Sequence, residues 1–466
     1  MTTFKWAFCL STLMLVAGCL PTLTNPFNSN DKSVKPQDIK TKTADERVYE
    51  TIKRLTEEAM ASKEKPISLS QHLKFFNAVK LSTEKNPQVE RAQQQILSAG
   101  FGKDIALSAK KVQFKTSGGL GLSAKRESSK TVNKSGAAIS VQASLLLFDG
   151  GAINSQIDVA EANYLIAELS LEIERARIAY EASNAWFEMW AATESQSLFS
   201  KNEKEINVIK KQLETLQKTG ILNVGELADV NGKMVDLELT RRKIQHSKDL
   251  AKLNFELHFG PNLTANRLPE MDKLVRSRKS TKFNGLEVPA IKKLLVEHAI
   301  AQFRISEAKA ALKPKISSSI SLSSPQSVNG STDTRVGLFL DYVIGDGGRR
   351  AARISAAETN FNSISAEINH QLKQAQVELD GAKKSLASNR SIFVTSNSKI
   401  QLLEKQLATA SSQRALGQAA IQKVFDLKIE IFEEKLELIQ LRISLYKSAV
   451  ELQLATGQLL NLFALR

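Results

Sequence analysis

Two periods alternate along this chain, one of two residues and one of about three and a half. Ile139, Val141, Ala143, Leu145 and Leu147 alternate with Ser140, Gln142, Ser144 and Leu146, and Val336, Leu338, Leu340, Tyr342 and Ile344 lie in the same phase farther on. Such spacing predicts strands with one apolar face and one mostly polar face. Residues 112–123 and 315–323 alternate more weakly, with Gly, Ser and Lys on the polar side. Four strands are therefore predicted, at about 112–123, 137–148, 315–323 and 335–345. Each is close to the length a tilted strand needs to cross a bilayer.

Beyond each strand pair the period becomes helical. Ile364, Ile368, Leu372, Ala375, Leu379, Ala382 and Leu386 step by fours and threes, a coiled-coil-like rhythm that runs to about Leu416 without a proline. As helix, residues 349–416 make a rod of about 100 Å. A matching rod is predicted from Ile153 to about Thr219. Tight turns at Gly220 and Gly417 then send a second helix back to Gly260 or Gly457. Helices of that length cannot be arranged around a single compact core.

The rods match because the body is one unit written twice. Asp149-Gly150-Gly151 recurs as Asp346-Gly347-Gly348, 197 positions on, and Gly220, Asp229 and Gly260 recur at the same interval as Gly417, Asp426 and Gly457. Upstream the interval is 202: Asn86-Pro87 aligns with Val288-Pro289, Phe101 with Phe303 and Lys111 with Lys313. The difference places a five-residue shortening in the second strand pair's loop, between about 323 and 335, where length changes are tolerated. The repeats span 67–285 and 286–466, and each reads helix, strand, loop, strand, long helix, turn, helix.

Composition narrows the picture further. Only 10 prolines and 22 glycines punctuate 466 residues, which suits long helices with few breaks. The net charge of +15 invites a nucleic-acid partner, but the 64 basic residues are interleaved with 49 acidic ones and no binding motif accompanies them. A solvated helix surface accounts for the charge, and no nucleic acid is expected. Cys9 and Cys19, both near the N-terminus, are the only cysteines, so no disulfide framework is available to the body. No run of 18 apolar residues follows residue 20, so any membrane crossing must use strands.

Residues 1–18 carry Lys5, the apolar stretch FCLSTLML and Val16-Ala17-Gly18 before Cys19, the layout of a secretory signal. The cysteine after Ala-Gly resembles the lipobox of bacterial lipoproteins. That resemblance implies acylation at Cys19 and, with Leu20 rather than an aspartate next, delivery to the outer membrane. Residues 19–66 read as a tether, flexible from Pro21 to about Lys42, with a short amphipathic helix near Glu46–Lys63.

Little here looks catalytic. His72, His246, His258, His298 and His370 are scattered without a His-Glu-x-x-His motif, so neither a metal site nor a cofactor is expected. The Asp-Gly-Gly runs lack the Lys-Ser/Thr of a P-loop and the spacing of an EF-hand, leaving a strand-to-helix turn as the reading. Trp186, Phe187 and Trp190 fit packing between helices, and no nucleophile–base pair suggests an enzyme.

Four strands are too few to close a barrel, and open edges cannot rest in lipid with their amides unpaired. Three chains would supply twelve strands, enough to close around water, and would set the long helices side by side as a second tube. The two-fold repeat, the Asn86-Pro87 helix start, Leu147-Phe148-Asp149-Gly150-Gly151 and the Gly-x8-Asp turns together resemble TolC-type outer-membrane efflux and secretion proteins, over about residues 67–460. The resemblance implies a mostly α fold with a β-barrel part: a homotrimer forming a 12-stranded β-barrel in outer-membrane lipid and an α-helical barrel in the periplasm. It also implies a periplasmic adaptor and an inner-membrane transporter as partners, in efflux or type I secretion.

In that family the periplasmic gate lies at the two helix–helix turns, with carboxylates six and nine positions after the glycine. The corresponding residues here are Glu226 and Asp229 in the first turn, and Lys423 and Asp426 in the second. Lys423 departs from the family's acid. It would weaken a cation-binding ring or pair with a neighbouring carboxylate. The competing reading is a lipid-anchored periplasmic coiled-coil adaptor without a pore. Adaptors carry a single hairpin, and the duplication with its four strands argues against one.

Overall fold

The computed structural model describes residues 53–54, 73–127, 130–220, 224–275, 285–324, 332–416 and 420–466. The chain divides into Met1–Glu64 and Lys65–Arg466. Of the first unit only Lys53 and Arg54 are described, and both are helical. The signal segment 1–18, the lipid-attachment residue Cys19, nearly all of the tether 19–66 and the turn residue Gly417 lie outside the described residues.

In the second unit, α1 (Phe75–Glu84) and α2 (Pro87–Ser108) lead into β1 (Gln113–Glu127) and β2 (Lys130–Phe148), followed by α3 (Ala152–Lys218) and α4 (Val224–Phe259). After α5 (Met271–Val275) and a 3-10 turn, the order repeats as α6 (Pro289–Ala310), β3 (Lys315–Ser323), β4 (Asp333–Asp341), α7 (Arg349–Ala415) and α8 (Ile421–Ala455), closed by α9 (Leu459–Leu462). Helices α2 and α6 each have 22 residues and start at prolines 202 positions apart. Helices α3 and α7 each have 67 residues and start 197 apart. Pro87 sits at the first helical position behind Asn86, whose side chain accepts a 2.9 Å bond from the Gln88 amide.

The four strands form one antiparallel sheet in the order β1-β2-β3-β4. Their register carries the duplication: moving Gln113 by 202 and its partner Ser144 by 197 gives Lys315 and Asp341, which pair in the second hairpin. Three strand limits differ from expectation. The first hairpin zips past 123 and 137 to the pair Glu127–Lys130, through a polar stretch with no apolar alternation to announce it. In the second, β4 stops at Asp341 instead of 345, because β3 begins at Lys315 directly opposite. Among the described residues of the chain, 342–345 therefore have no strand beside them, despite the alternation of Tyr342 and Ile344. The strand β3 spans Lys315–Ser323, matching the expected 315–323.

Two large hydrophobic clusters hold the helices, and a small third joins Val89 and Ala92 of α2 to Leu171 and Ile178 of α3. One gathers Phe75 of α1, Trp186 and Phe187 of α3, Phe255 and Phe259 of α4, and Phe463 after α9. Phe75 stacks on Phe187 at 5.3 Å and meets Trp186 edge-on at 5.7 Å, geometries that suit the charge distribution of aromatic rings. The Trp186 indole donates to the Arg267 carbonyl at 3.0 Å, so its polar edge is satisfied. Ala179, Ala182 and Ala185 on the same helix are fully buried, and their small side chains allow neighbours to approach closely. The second cluster lies toward the helix–helix turns and joins Ile206 and Leu213 of α3, Val230 and Leu237 of α4, and Phe425 and Phe432 of α8.

On α4 the buried residues Val230, Leu237, Ile244, Ala251 and His258 step by seven. A heptad of this kind keeps one seam facing its neighbour along the whole helix, as in a left-handed coiled coil. No described helix is both long and apolar enough to cross a membrane.

Candidate functional site

The sheet is built inside out compared with one covering a hydrophobic core. Cross-strand partners share a face. One row runs Phe114, Ala143, Ile320, Val336, and the row beside it runs Lys115, Gln142, Ser321, Arg335 on the opposite face. A third row, Ser117, Ser140, Ser323, Asp333, joins the polar side, where the Ser117 and Ser140 hydroxyls lie 2.7 Å apart. The apolar face is open: Val336 is 72% exposed and Leu338 73%. The polar face instead bounds a concavity of about 720 Å³ walled by residues such as Gln142, Ser144, Ser319 and Arg335. Apolar outside and polar inside is the pattern of a strand between lipid and a water-filled lumen. Among the described residues, strands β1 and β4 each leave one edge unpaired.

Each Asp-Gly-Gly run turns a strand into a long helix. The Asp149 carboxylate accepts from the Gly151 amide at 2.9 Å and the Ile153 amide at 2.6 Å, so it caps α3. Asp346 does the same for α7, accepting from the Gly348 and Arg350 amides at 3.1 and 2.9 Å, and also binds the Arg350 guanidinium at 2.9 Å. All four glycines have positive φ, and at Gly150 an added Cβ would also lie 2.7 Å from the Ala310 carbonyl oxygen. These residues make a structural turn.

The gate residues expected from sequence lie at the far end of the long helices. Glu226 and Asp229 occupy the first turns of α4, and Lys423 and Asp426 those of α8, while Gly220 ends the preceding segment with φ +75°. Asp229 and Asp426 are brought together by a residue that sequence reasoning missed. Lys233 donates to Asp426 at 2.7 Å and lies 3.9 Å from Asp229. Its bond to Asp426 raises the ammonium pKa above the usual lysine value, outweighing partial burial, and the charges of Asp426, Asp229 and Glu433 add to the effect. The available signal was an acid followed four residues later by a base, Asp229 then Lys233. The repeat hides the rest, since Glu430 stands where the second unit would carry this lysine, 197 positions on. Lys423 is exposed and forms no ion pair among the described residues.

Large apolar side chains also remain open on the helices. Leu97, Phe101 and Ile105 form an exposed line on α2, and Leu239, Leu250, Leu253 and Leu257 another on α4. Soluble monomers rarely expose contiguous apolar surface of this kind. Among the described residues, no group of three or more His, Cys, Asp or Glu is placed to hold a metal ion.

The sequence model of the outer membrane efflux protein family matches residues 78–242 and 286–458, with one segment in each repeat. No curated protein matches the chain. Among solved structures, that of CusC, reported in connection with folding and transmembrane channel formation, aligns with a TM-score of 0.74 at 17% identity, covering 84% of this chain and 94% of that one. The outer membrane protein VceC of Vibrio cholerae aligns with a TM-score of 0.72 at 16% identity, covering 82% and 96%. The CmeC outer membrane channel of Campylobacter jejuni aligns at 0.71 and 15% identity, covering 85% and 90%. These likenesses establish a shared fold.

Proposed function

The chain belongs to the outer membrane efflux protein family, and from that premise we propose that three copies form the exit duct of a tripartite export pump. The family is one of channels in the outer membrane, not of enzymes. One observation carries the trimer: a four-stranded sheet with lipid-type facing and two open edges. Unpaired amides cost several kcal/mol each in hydrocarbon, so β4 of one copy pairs with β1 of the next until the ring closes. Three copies give twelve strands with the serine rows toward water. The exposed lines on α2 and α4 then become seams between neighbouring copies in the periplasmic tube.

The ends of α3 and α7 and the starts of α4 and α8 form the inner, gated end, where a periplasmic adaptor and an inner-membrane transporter dock. Glu226, Asp229 and Asp426 supply its carboxylates, and Lys233 and Lys423 its counter-charges. Cys19 anchors the mature chain by acylation. Cargo passes through without chemical change. The proposal is tested with detergent-purified protein, by mass in solution and by conductance in planar bilayers. A particle of three mature chains, each somewhat lighter than the 51.3 kDa full sequence, that forms discrete conducting steps is expected. A monomer that stays electrically silent refutes it.

A further inference from the structure

The polar face continues beyond the strands. Its concavity and a second of about 730 Å³ at the strand–helix junctions share Ala109, Leu146, Ile153 and Lys315 as walls. One surface thus runs from the serine rows to the starts of α3 and α7. Most acids along it are already engaged. Asp149 and Asp346 cap those helices, Asp346 also holds Arg350, and Glu307 accepts from the Gln156 amide at 2.8 Å.

Four cations remain: Arg304, Lys313, Lys315 and Arg353, all exposed, none in an ion pair among the described residues. Lys313 reaches only the Gly150 carbonyl, at 3.4 Å. Asp341 is the one carboxylate of that lining without a hydrogen bond or ion pair among the described residues. Hydrogen bonds from amides leave Asp149 and Glu307 charged, so the four cations face three lining carboxylates with Asp341. The surplus is one positive charge per chain, or three in a ring of three copies.

We infer that this belt is a binding site for anionic solutes bearing phosphate or carboxylate groups, drawn in as they pass from the helical tube into the barrel. The inference rests on the duct reading and assigns that duct a class of cargo. Arginine forks match the geometry of phosphate and carboxylate oxygens, and rings of Arg and Lys favour anions in pores. A narrow lumen with low-dielectric walls strengthens the attraction. The belt is independent of the gate charges, which lie a 67-residue helix away, about 100 Å.

The test uses the full-length protein in neutral phosphatidylcholine bilayers, which exclude anionic headgroups as the ligand. Inorganic tripolyphosphate is the probe. It should block the parent current reversibly, and the combined variant R304Q/K313Q/K315Q/R353Q should weaken the block about tenfold or more. The chloride-to-potassium permeability ratio, read from reversal potentials in a salt gradient, should fall about threefold. R304Q/R353Q alone should give a smaller shift in the same direction, and it serves if the fourfold variant fails to assemble. Parent channels that conduct while both readouts stay unchanged in either variant overturn the belt and leave the duct standing. Parent protein that does not conduct refutes the duct, and the belt with it.

Discussion

Replacing Lys233 with alanine removes the ammonium that binds Asp426 at 2.7 Å and lies 3.9 Å from Asp229. The Lys233 and Asp426 side chains are 34% and 37% exposed, so water screens the bond. It contributes about 0.5–1 kcal/mol, within the range of solvent-accessible pairs. In a trimer whose opening spreads the turns, three such bonds break together, for a total of about 1.5–3 kcal/mol. At 1.4 kcal/mol per factor of ten, Lys233→Ala raises the open-to-closed ratio about 10- to 150-fold. Single-channel recording at about 0.1 M salt is the assay, because there the Debye length is about 10 Å and the bond is incompletely screened. Asp426→Asn should produce a similar rise, and the double variant should add little to either single one. An open fraction within about twofold of the parent, or full additivity of the two changes, refutes the reasoning.

The sheet's facing predicts that Leu338→Arg, on the apolar side, costs about 2–4 kcal/mol near mid-bilayer, whereas Ser319→Arg on the polar side is tolerated. Yields of assembled trimer in outer membranes check this, and the reverse order would overturn the facing. Gly150→Ala and Gly347→Ala each incur about 1–2 kcal/mol for positive φ, but only at Gly150 does the new Cβ meet backbone, 2.7 Å from Ala310 O, with open space at Gly347. Gly150→Ala should therefore melt lower, and equal melting temperatures contradict the account. His258 is 5% exposed, burial pushes its pKa below 6.5, and its Nδ1 has no partner among the described residues, so it is held neutral. With the folded value depressed, its contribution to stability is complete above about pH 6.5 and is lost as pH falls through the folded pKa. His258→Phe should flatten the Tm loss between about pH 7 and pH 5, and an unchanged slope removes His258 as its source.

Much of the architecture could be read from the sequence because the punctuation is local. Asp149-Gly150-Gly151 and its copy mark the point where a period of two becomes helical, and α3 and α7 begin one residue after each run. What escaped depended on partners distant in sequence. Tyr342 and Ile344 continue the alternation of β4, yet a strand needs a neighbour, and β3 supplies none beyond Lys315. The outer part of the first hairpin, rich in Ser, Gly and Lys, has no apolar face to mark it as strand. Trp186 and Phe187 are readable as packing residues, but Phe75, which meets both, and Phe463, which meets Phe75, come from opposite ends of the unit's sequence. At the turns, Asp229 and Asp426 followed from the repeat, whereas the lysine joining them breaks it.

The unequal hairpins also set the depth of the protein in its bilayer. Among the described residues, β2 has β3 beside it only from Ser140 onward, plus the Ser324 amide on the Ile139 carbonyl, so residues 130–138 pair with β1 alone. Hydrocarbon does not tolerate that bare edge, so water must begin near the Ser140–Ser323 pair. Below it, nine-residue β3 and β4 rise about 30 Å along their axes, or about 23 Å when tilted by 40°, which approaches the apolar band of such barrels. Assembled threefold, the rim would be crenellated: three tall two-stranded ribbons would stand clear of the lipid, separated by three low gaps.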